Sequence, residues 1–450
     1  MPTEVMRGSR MEWWSRVPTR WRVAALLSLP YLVTVAALRG LVATMPTYHG
    51  GDEWTYHMPT IRQFAHQLPG VDLVDYPAAQ TPLYHLLAAV WGELTTLDYW
   101  SLRIIGVVCS YAAALVVYRL LRRHSGLAAY PAVALAAVFA FSPYVFGQSF
   151  ILGTDNPALL LGLLAIERLL AFRRGGGLGT YAAACAWIGL ALLTRQSYVW
   201  LCGLAFVVLL LELWDDRRRA AEGLGLLALA VLPFAALLYA WNGPVPPGGD
   251  PASCGICTPD DGRLGWRDAS PLRAPVFALA VLGVYGALLY GRQAVLGLRA
   301  HGAAVGSWVR TGALGAGGGV VLLLIAPLAY GTGDEGWLWR VARSGPELLG
   351  TAWAFWLLVP LGCAVAALGV RREGVRSLPV LVLGTFLAAQ LATRLPYQKY
   401  FDPLMLFVCL LALRPSELRT RGDWLGPALV VVLAAGYAAA FIFGLIAVES

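Results

Sequence analysis

Apolar stretches of about twenty residues recur from one end of this chain to the other, and that spacing constrains its fold more than anything else. Such a stretch, coiled as a helix, matches the thickness of a bilayer's hydrocarbon core. Crossings are expected near residues 22–44, 101–121, 126–147, 156–172, 178–194, 198–214, 220–241, 274–290, 312–330, 348–370, 376–393, 400–413 and 424–446. Only 13% of the 450 residues are charged, against about 25% in soluble domains. The runs are continuous rather than alternating, which argues against a β-barrel. The expected fold is all-α, a polytopic transmembrane helix bundle with about thirteen crossings. The apolar but short segment 82–94 is expected as a re-entrant or interfacial helix. The first run follows a basic segment but is too long for a signal-peptide core, so it reads as an uncleaved helix. The whole chain, 1–450, reads as one integral-membrane domain.

Charge gives the orientation. With the N-terminus inside, 23 of the 34 basic residues fall on the inner side and 11 on the outer, as the positive-inside rule requires. The long loops 45–100, 242–273 and 331–347 then face outward, and chemistry is expected there.

The first outer loop carries "GDEWTYHMP". Asp52 and Glu53 open an expected amphipathic helix in which Trp54, Met58, Ile61, Phe64 and Ala65 recur at helical spacing. Capping and dipole tuning explain the two carboxylates structurally; the functional reading makes one a general base for an acceptor hydroxyl, with the other orienting it. His57, His66 and His85 also fall outside, at spacings that match no strong metal signature, so no metal is assigned and a divalent ion is left open. Asp155, in "LGTDNP", is a helix cap or a substrate-orienting group. Arg195 stands in "LLTRQSYVW" between two apolar runs with almost no loop, and an interfacial guanidinium wants an anion: phosphate, carboxylate or Asp155 itself. Lys399, flanked by Tyr397 and Tyr400 in "TRLPYQKYFDP", is the single lysine of the chain, and Arg394 lies nearby. Arg340 and Arg343 add outward cations beside Trp337 and Trp339.

Five cysteines lie in apolar runs; Cys254 and Cys257 form a C-x-x-C in an outer loop, expected as a structural disulfide. No phosphate-loop or dinucleotide motif is present, and the glycines of 312–319 read as a close helix-packing face.

These patches resemble the GT-C class of multi-pass glycosyltransferases, which draw their sugar from a polyprenyl-phosphate donor. Within it the nearest likeness is to the dolichyl-phosphate-glucose α-1,2-glucosyltransferases. The matching pieces are "GDEWTYHMP", "TPLYHL" with Tyr84, "TDN" and "LTRQSYVW". The resemblance implies a GT-C-like fold and transfer of a hexose, glucose by this likeness, to a lipid-linked or extracytoplasmic glycan acceptor. It implies Asp52 as base with Glu53 assisting, and Arg195, Gln196, Lys399 and Arg394 at the donor phosphate. His57, Asp155 and Tyr84 would orient substrate. No cofactor beyond the donor and no nucleic-acid partner are implied. The composition fits a prokaryotic plasma membrane with the active face outward, or a lumenal face in a eukaryote. A transporter or flippase of a lipid-linked substrate is the alternative. It would want ionisable groups at the bilayer midplane and two similar halves, and the sequence has no clear repeat. A partner protein without chemistry of its own would leave the outward Asp, Arg and Lys unexplained.

Overall fold

In the computed structural model, residues 18–38, 52–249, 270–299, 303–330, 336–393 and 397–447 are described. They form an almost wholly helical bundle. In chain order its main helices are α1 Thr19–Leu38, α2 Met58–Gln67, α3 Leu83–Leu94, α4 Tyr99–Arg123, α5 Ala129–Ala140, α6 Asp155–Arg173, α7 Leu178–Thr194 and α8 Trp200–Leu213. They continue as α9 Arg217–Trp241, α10 Arg273–Arg299, α11 Ala303–Ile325, α12 Phe355–Glu373, α13 Leu378–Ala389, α14 Gln398–Ala412 and α15 Leu425–Ala447. Each expected crossing overlaps a helix in part, with residues 39–44 of the first lying outside the described residues. Among the described residues six helices are long and apolar enough to cross a bilayer, or seven if one bent pair is a single span. The chain is thus a multi-pass membrane protein.

Two expected crossings differ from the structure in shape. The run 126–147 does not cross straight: after α5 the chain turns by 67° into Pro143–Phe150. Ser142 is extended and Pro143 cannot continue a helical hydrogen-bond ladder, so the break falls there. The run 348–370 begins with a two-stranded hairpin, β1 Glu347–Leu348 and β2 Thr351–Ala352, before α12 starts. Its two-residue turn, Leu349–Gly350, has φ of +51° and +74°, the backbone that a tight hairpin demands.

The helix α3 has twelve residues, about 18 Å, too short to cross. With α2 it forms a small cap at one end of the bundle. Met58, Ile61 and Phe64 of α2 are buried against Tyr76, Tyr84, Ala88 and Trp241, while Trp54 stays 46% exposed. The irregular segment between α2 and α3 is strapped down by side chains that satisfy its backbone. Thr60 Oγ1 accepts the Ala78 amide at 3.0 Å, and Trp241 Nε1 donates to the Leu73 carbonyl at 2.9 Å. Thr81 Oγ1 donates to the Leu192 carbonyl at the end of α7 at 2.7 Å.

The opposite end of the bundle is held by ion pairs of the arginine-rich turns. Glu167 of α6 accepts from Arg119 and Arg123 of α4 at 2.8 and 3.1 Å, and Glu417 pairs with Arg372 of α12. Those arginines therefore serve packing as well as orientation.

Small residues set the closest helix crossings. Gly362 of α12 lies against the backbone of α10, where a β-carbon would fall inside the contact radius of the Leu279 carbonyl, and Gly315 and Gly319 of α11 lie against α12 at Cys363 and Pro360. Such approach gives dispersion contact where lipid supplies no hydrophobic drive. Gly362→Ala is expected to force α10 and α12 apart at a cost of about 1–3 kcal/mol. Gly317→Ala on α11, where a β-carbon meets nothing within 4 Å, is the control. Thermal unfolding in detergent should separate the two variants by several degrees.

Candidate active site

The site is assembled at the capped end, where α6 begins, α7 ends and α14 begins. Helix α7 stops at Arg195, whose backbone is extended (φ −159°, ψ +117°) although its amide still bonds to the Ala191 carbonyl. One 3₁₀ turn, Gln196–Val199, then feeds α8. This abrupt reversal throws the Arg195 side chain inward rather than toward solvent, and the residue is only 7% exposed. A guanidinium so buried needs compensation. It donates to Thr154 Oγ1 at 2.7 Å, pairs with Asp155 Oδ1 at 3.1 Å and lies 4.5 Å above the Tyr400 ring. Asp155 is the first residue of α6 rather than its N-cap, which is Thr154, and its carboxylate pairs with Arg195.

Lys399, in the first turn of α14, approaches the same ring, 5.4 Å from its centroid. Its ammonium stands 3.4 Å from Asp52 Oδ2. Asp52 also makes no capping bond, and its side chain is 54% exposed. Two cations thus share the Tyr400 ring, and each pairs with a carboxylate.

A cavity opens from these groups into the bundle. Arg195, Lys399, Asp155, Gln196 and Gln80 line its polar end. Leu159, Leu163 and Ile166 of α6, with Trp200, Phe386 and Leu404, line its apolar continuation. From Asp155 to Ile166 is about 16 Å along α6, half a bilayer leaflet pair. Gly162 opens the wall beside Tyr198, whose ring a β-carbon there would touch.

The structure brings together Asp52, Asp155, Arg195, Gln196 and Lys399. Three further residues expected at the site stand behind it. Glu53 is fully buried, one residue from the half-exposed Asp52. Its carboxylate takes both Arg103 Nε at 3.0 Å and Arg103 Nη2 at 2.5 Å, and the Leu152 amide as well. That pairing ties the start of the cap to α4 and to the loop before α6. His57 and Tyr84 are buried in the cap core and not on the cavity wall. His57 Nδ1 meets His85 Nε2 at 2.9 Å with the rings stacked, so one nitrogen carries the shared proton and the other accepts it. Gln196 faces the cavity, but its amide nitrogen is turned away, donating to the carbonyls of Ala79 at 2.6 Å and Pro244 at 3.3 Å. Arg394, Cys254 and Cys257 lie outside the described residues. His66 sits at the end of α2, and Cys109, Cys185, Cys202, Cys363 and Cys409 are free thiols within helices. Among the described residues no three His, Cys, Asp or Glu side chains group as a metal ion would need.

Sequence reading did not single out Arg103, Tyr400 as the shared face of two cations, or Gln80. It also missed Asp402, which is buried behind Lys399 and takes hydrogen bonds from Tyr285 at 2.6 Å and Gln398 at 3.1 Å. Gln398 in turn accepts the Leu338 amide at 2.8 Å, so the turn that carries Lys399 is pinned on two sides.

Residues 79–241 match the family described as dolichyl-phosphate-mannose-protein mannosyltransferase. The match runs from the loop before α3 to the end of α9. It includes Asp155, Arg195 and Gln196 and leaves out Asp52 and Lys399. It meets the resemblance read from the sequence at the level of a polyprenyl-phosphate-dependent sugar transferase, and it names a mannosyl rather than a glucosyl family. No curated protein matches the chain. Among solved structures, ArnT from Cupriavidus metallidurans bound to undecaprenyl phosphate aligns with 96% of this chain and 71% of its own, at 16% identity and a TM-score of 0.46. The apo form of the same protein aligns with 86% and 77%, at 16% identity and a TM-score of 0.38. These are loose likenesses.

Burial, reinforced by the charges of Arg195 and Lys399, holds the His57 imidazole down at about 3, and burial holds His85 well below its ordinary value. Both are depressed relative to an unfolded imidazole near 6.5. Their neutral forms therefore stabilise the fold above about pH 6.5, and that contribution is lost as pH falls below it, by at most about 1.4 kcal/mol per pH unit for each ring. The thermal midpoint in detergent is expected to drop between pH 6.5 and 4.5, and to drop less steeply in His57→Gln. An equal slope in both proteins would assign the loss to other groups.

Proposed function

We propose that this protein is a membrane glycosyltransferase that moves a hexose from a polyprenyl-phosphate-sugar donor to an acceptor hydroxyl at the membrane surface. The observation that carries the reading is the cavity that joins two paired cations to a greasy slot. A polyprenyl-phosphate sugar has those parts in that order: a sugar, an anionic phosphate and an apolar chain. The family match over residues 79–241 supports the same reaction class.

In this reading the phosphate lies between Arg195 and Lys399, and the first isoprene units follow α6 past Gly162. The acceptor oxygen forms a bond to the anomeric carbon as the bond from that carbon to the phosphate oxygen breaks. The acceptor proton goes to Asp52, and the electron pair of the broken bond leaves on the phosphate. The departing polyprenyl phosphate carries more negative charge than the donor, so fixed cations at its oxygens lower the barrier. Entry of the donor draws Lys399 toward the phosphate and releases Asp52 to act as base. Glu53 acts through Arg103 as a positioning residue: it fixes the turn from which Asp52 projects. The catalytic end is assigned to the outer or lumenal face, and glucose and mannose are the sugars to try first.

With purified protein and a panel of polyprenyl-phosphate sugars, wild type should consume one donor. Asp52→Asn should lower turnover by about 10²-fold or more with donor binding retained. Arg195→Ala should weaken donor binding most. Full turnover in the Asp52 variant removes the assigned base, and unchanged donor binding in the Arg195 variant removes the phosphate role.

A further inference from the structure

The polar end of the cavity contains two groups that the phosphate reading does not use. Gln196 is 5% exposed, and its amide is oriented without ambiguity because the nitrogen serves two backbone carbonyls. Its oxygen therefore points the other way. That oxygen is buried, and no protein group among the described residues donates to it. The Oε1 atom of Gln80 is buried and undonated in the same way. The two side chains are neighbours through the loop itself, since the Ala79 carbonyl that holds Gln196 adjoins Gln80. The backbone of this loop is fixed on either side. The Gln80 carbonyl accepts the Tyr76 hydroxyl at 2.8 Å, and Thr81 is bonded to Leu192. Both glutamines line the cavity that Arg195 and Lys399 enter.

Carbonyl oxygens cannot bind a phosphate, whose oxygens are acceptors themselves, and the Gln196 oxygen is fixed by the bonds of its own amide nitrogen. Such oxygens demand hydrogen-bond donors, and leaving a buried acceptor unmatched is costly. We propose that Gln196 and Gln80 read the donor's sugar, each amide oxygen taking a hydrogen bond from one hydroxyl of a neutral hexose. The inference rests on the donor reading above and narrows it. A uronate with its carboxylate at either position meets two like-charged dipoles and is rejected. A deoxy sugar lacking either hydroxyl strands a buried oxygen and is used poorly. Gln196, which the sequence places at the phosphate beside Arg195, thus serves the sugar instead.

The test compares wild type, Gln196→Leu and Gln80→Leu. The probes are polyprenyl-phosphate glucose and mannose, their single-deoxy analogues, the matching uronate, and polyprenyl phosphate without sugar. Wild type should lose at least about tenfold in kcat/KM on removal of each of two hydroxyls. In Gln196→Leu one of those penalties should shrink to within about twofold, and in Gln80→Leu the other. Binding of sugar-free polyprenyl phosphate should be the same in all three proteins. If Gln196→Leu loses sugar-free lipid as strongly as glycosylated lipid, the amide belongs to the phosphate and the proposal fails. If every deoxy penalty persists in the variants, the oxygens are satisfied by water or by the fold, and it fails too. Should Gln196→Leu unfold for want of its bonds to Ala79 and Pro244, Gln80→Leu decides alone, because its side chain has no such structural duty. A wild type that neither binds nor consumes any of these lipids overturns the donor reading itself, a result visible before any variant is compared.

Discussion

The buried pair of Arg195 and Asp155 is the contact on which the capped end of the bundle depends. It joins the residue just after one helix to the first of another, across Thr154 and over the face of Tyr400 from a third. A guanidinium at 7% exposure cannot be left alone, since desolvation of an uncompensated charge costs several kcal/mol. The reversal between α7 and α8, the start of α6 and the start of α14 are thereby fixed relative to one another. The cavity lies between those three points and inherits their rigidity. A site held this way needs no mobile loop to place its cations.

Adjacent carboxylates then take opposite parts. Asp52 and Glu53 are neighbours in sequence, yet one side chain is 54% exposed and the other fully buried. The turn that begins the cap points them in different directions, one toward Lys399 and one into the α4 interface. Arg103 meets Glu53 through two nitrogens, the geometry that a guanidinium and a carboxylate hold best. The buried carboxylate holds the turn, while the exposed one stands 3.4 Å from the Lys399 ammonium. The histidine pair underneath does similar structural service, its rings kept neutral by burial.

Most of the scaffold was legible because lipid imposes so simple a rule. A helix is the chain's way to satisfy its own backbone where no water reaches, so long apolar runs became helices at nearly the expected places. The exceptions are local: Pro143 bends one run, and the turn at Leu349–Gly350 delays another. Residues of the candidate site drew attention in the sequence where their chemistry was out of place, as with Arg195 between two apolar runs and the single lysine. Pairings were not. Arg103 looks in sequence like an ordinary interfacial arginine near the start of a crossing, and Tyr400 like part of an aromatic belt. Neither reveals its partner, because Glu53 is fifty residues away from the first, and Arg195 about two hundred from the second. The orientation of an amide such as Gln196 is decided by carbonyls in two separate loops, which no local pattern encodes.

The two ends of the bundle use the same residue types differently, and that difference argues for function at one of them. At the far end, Arg119 and Arg123 close directly on Glu167, at 2.8 and 3.1 Å. At the capped end the pairs are opened out around an aromatic ring. One partner stays accessible in Asp52, and a slot lined by Leu159, Leu163 and Ile166 runs down beside them. Stability alone would favour the closed arrangement at both ends, since solvent-exposed pairs contribute little and a buried cavity lined with polar groups contributes less. The open arrangement is what an amphiphilic anion requires, because its charge must be met at the depth where its hydrocarbon begins. Along α6 the lining passes from Asp155 and Asn156 to Leu159, Leu163 and Ile166, so the charged groups gather at one end of the slot.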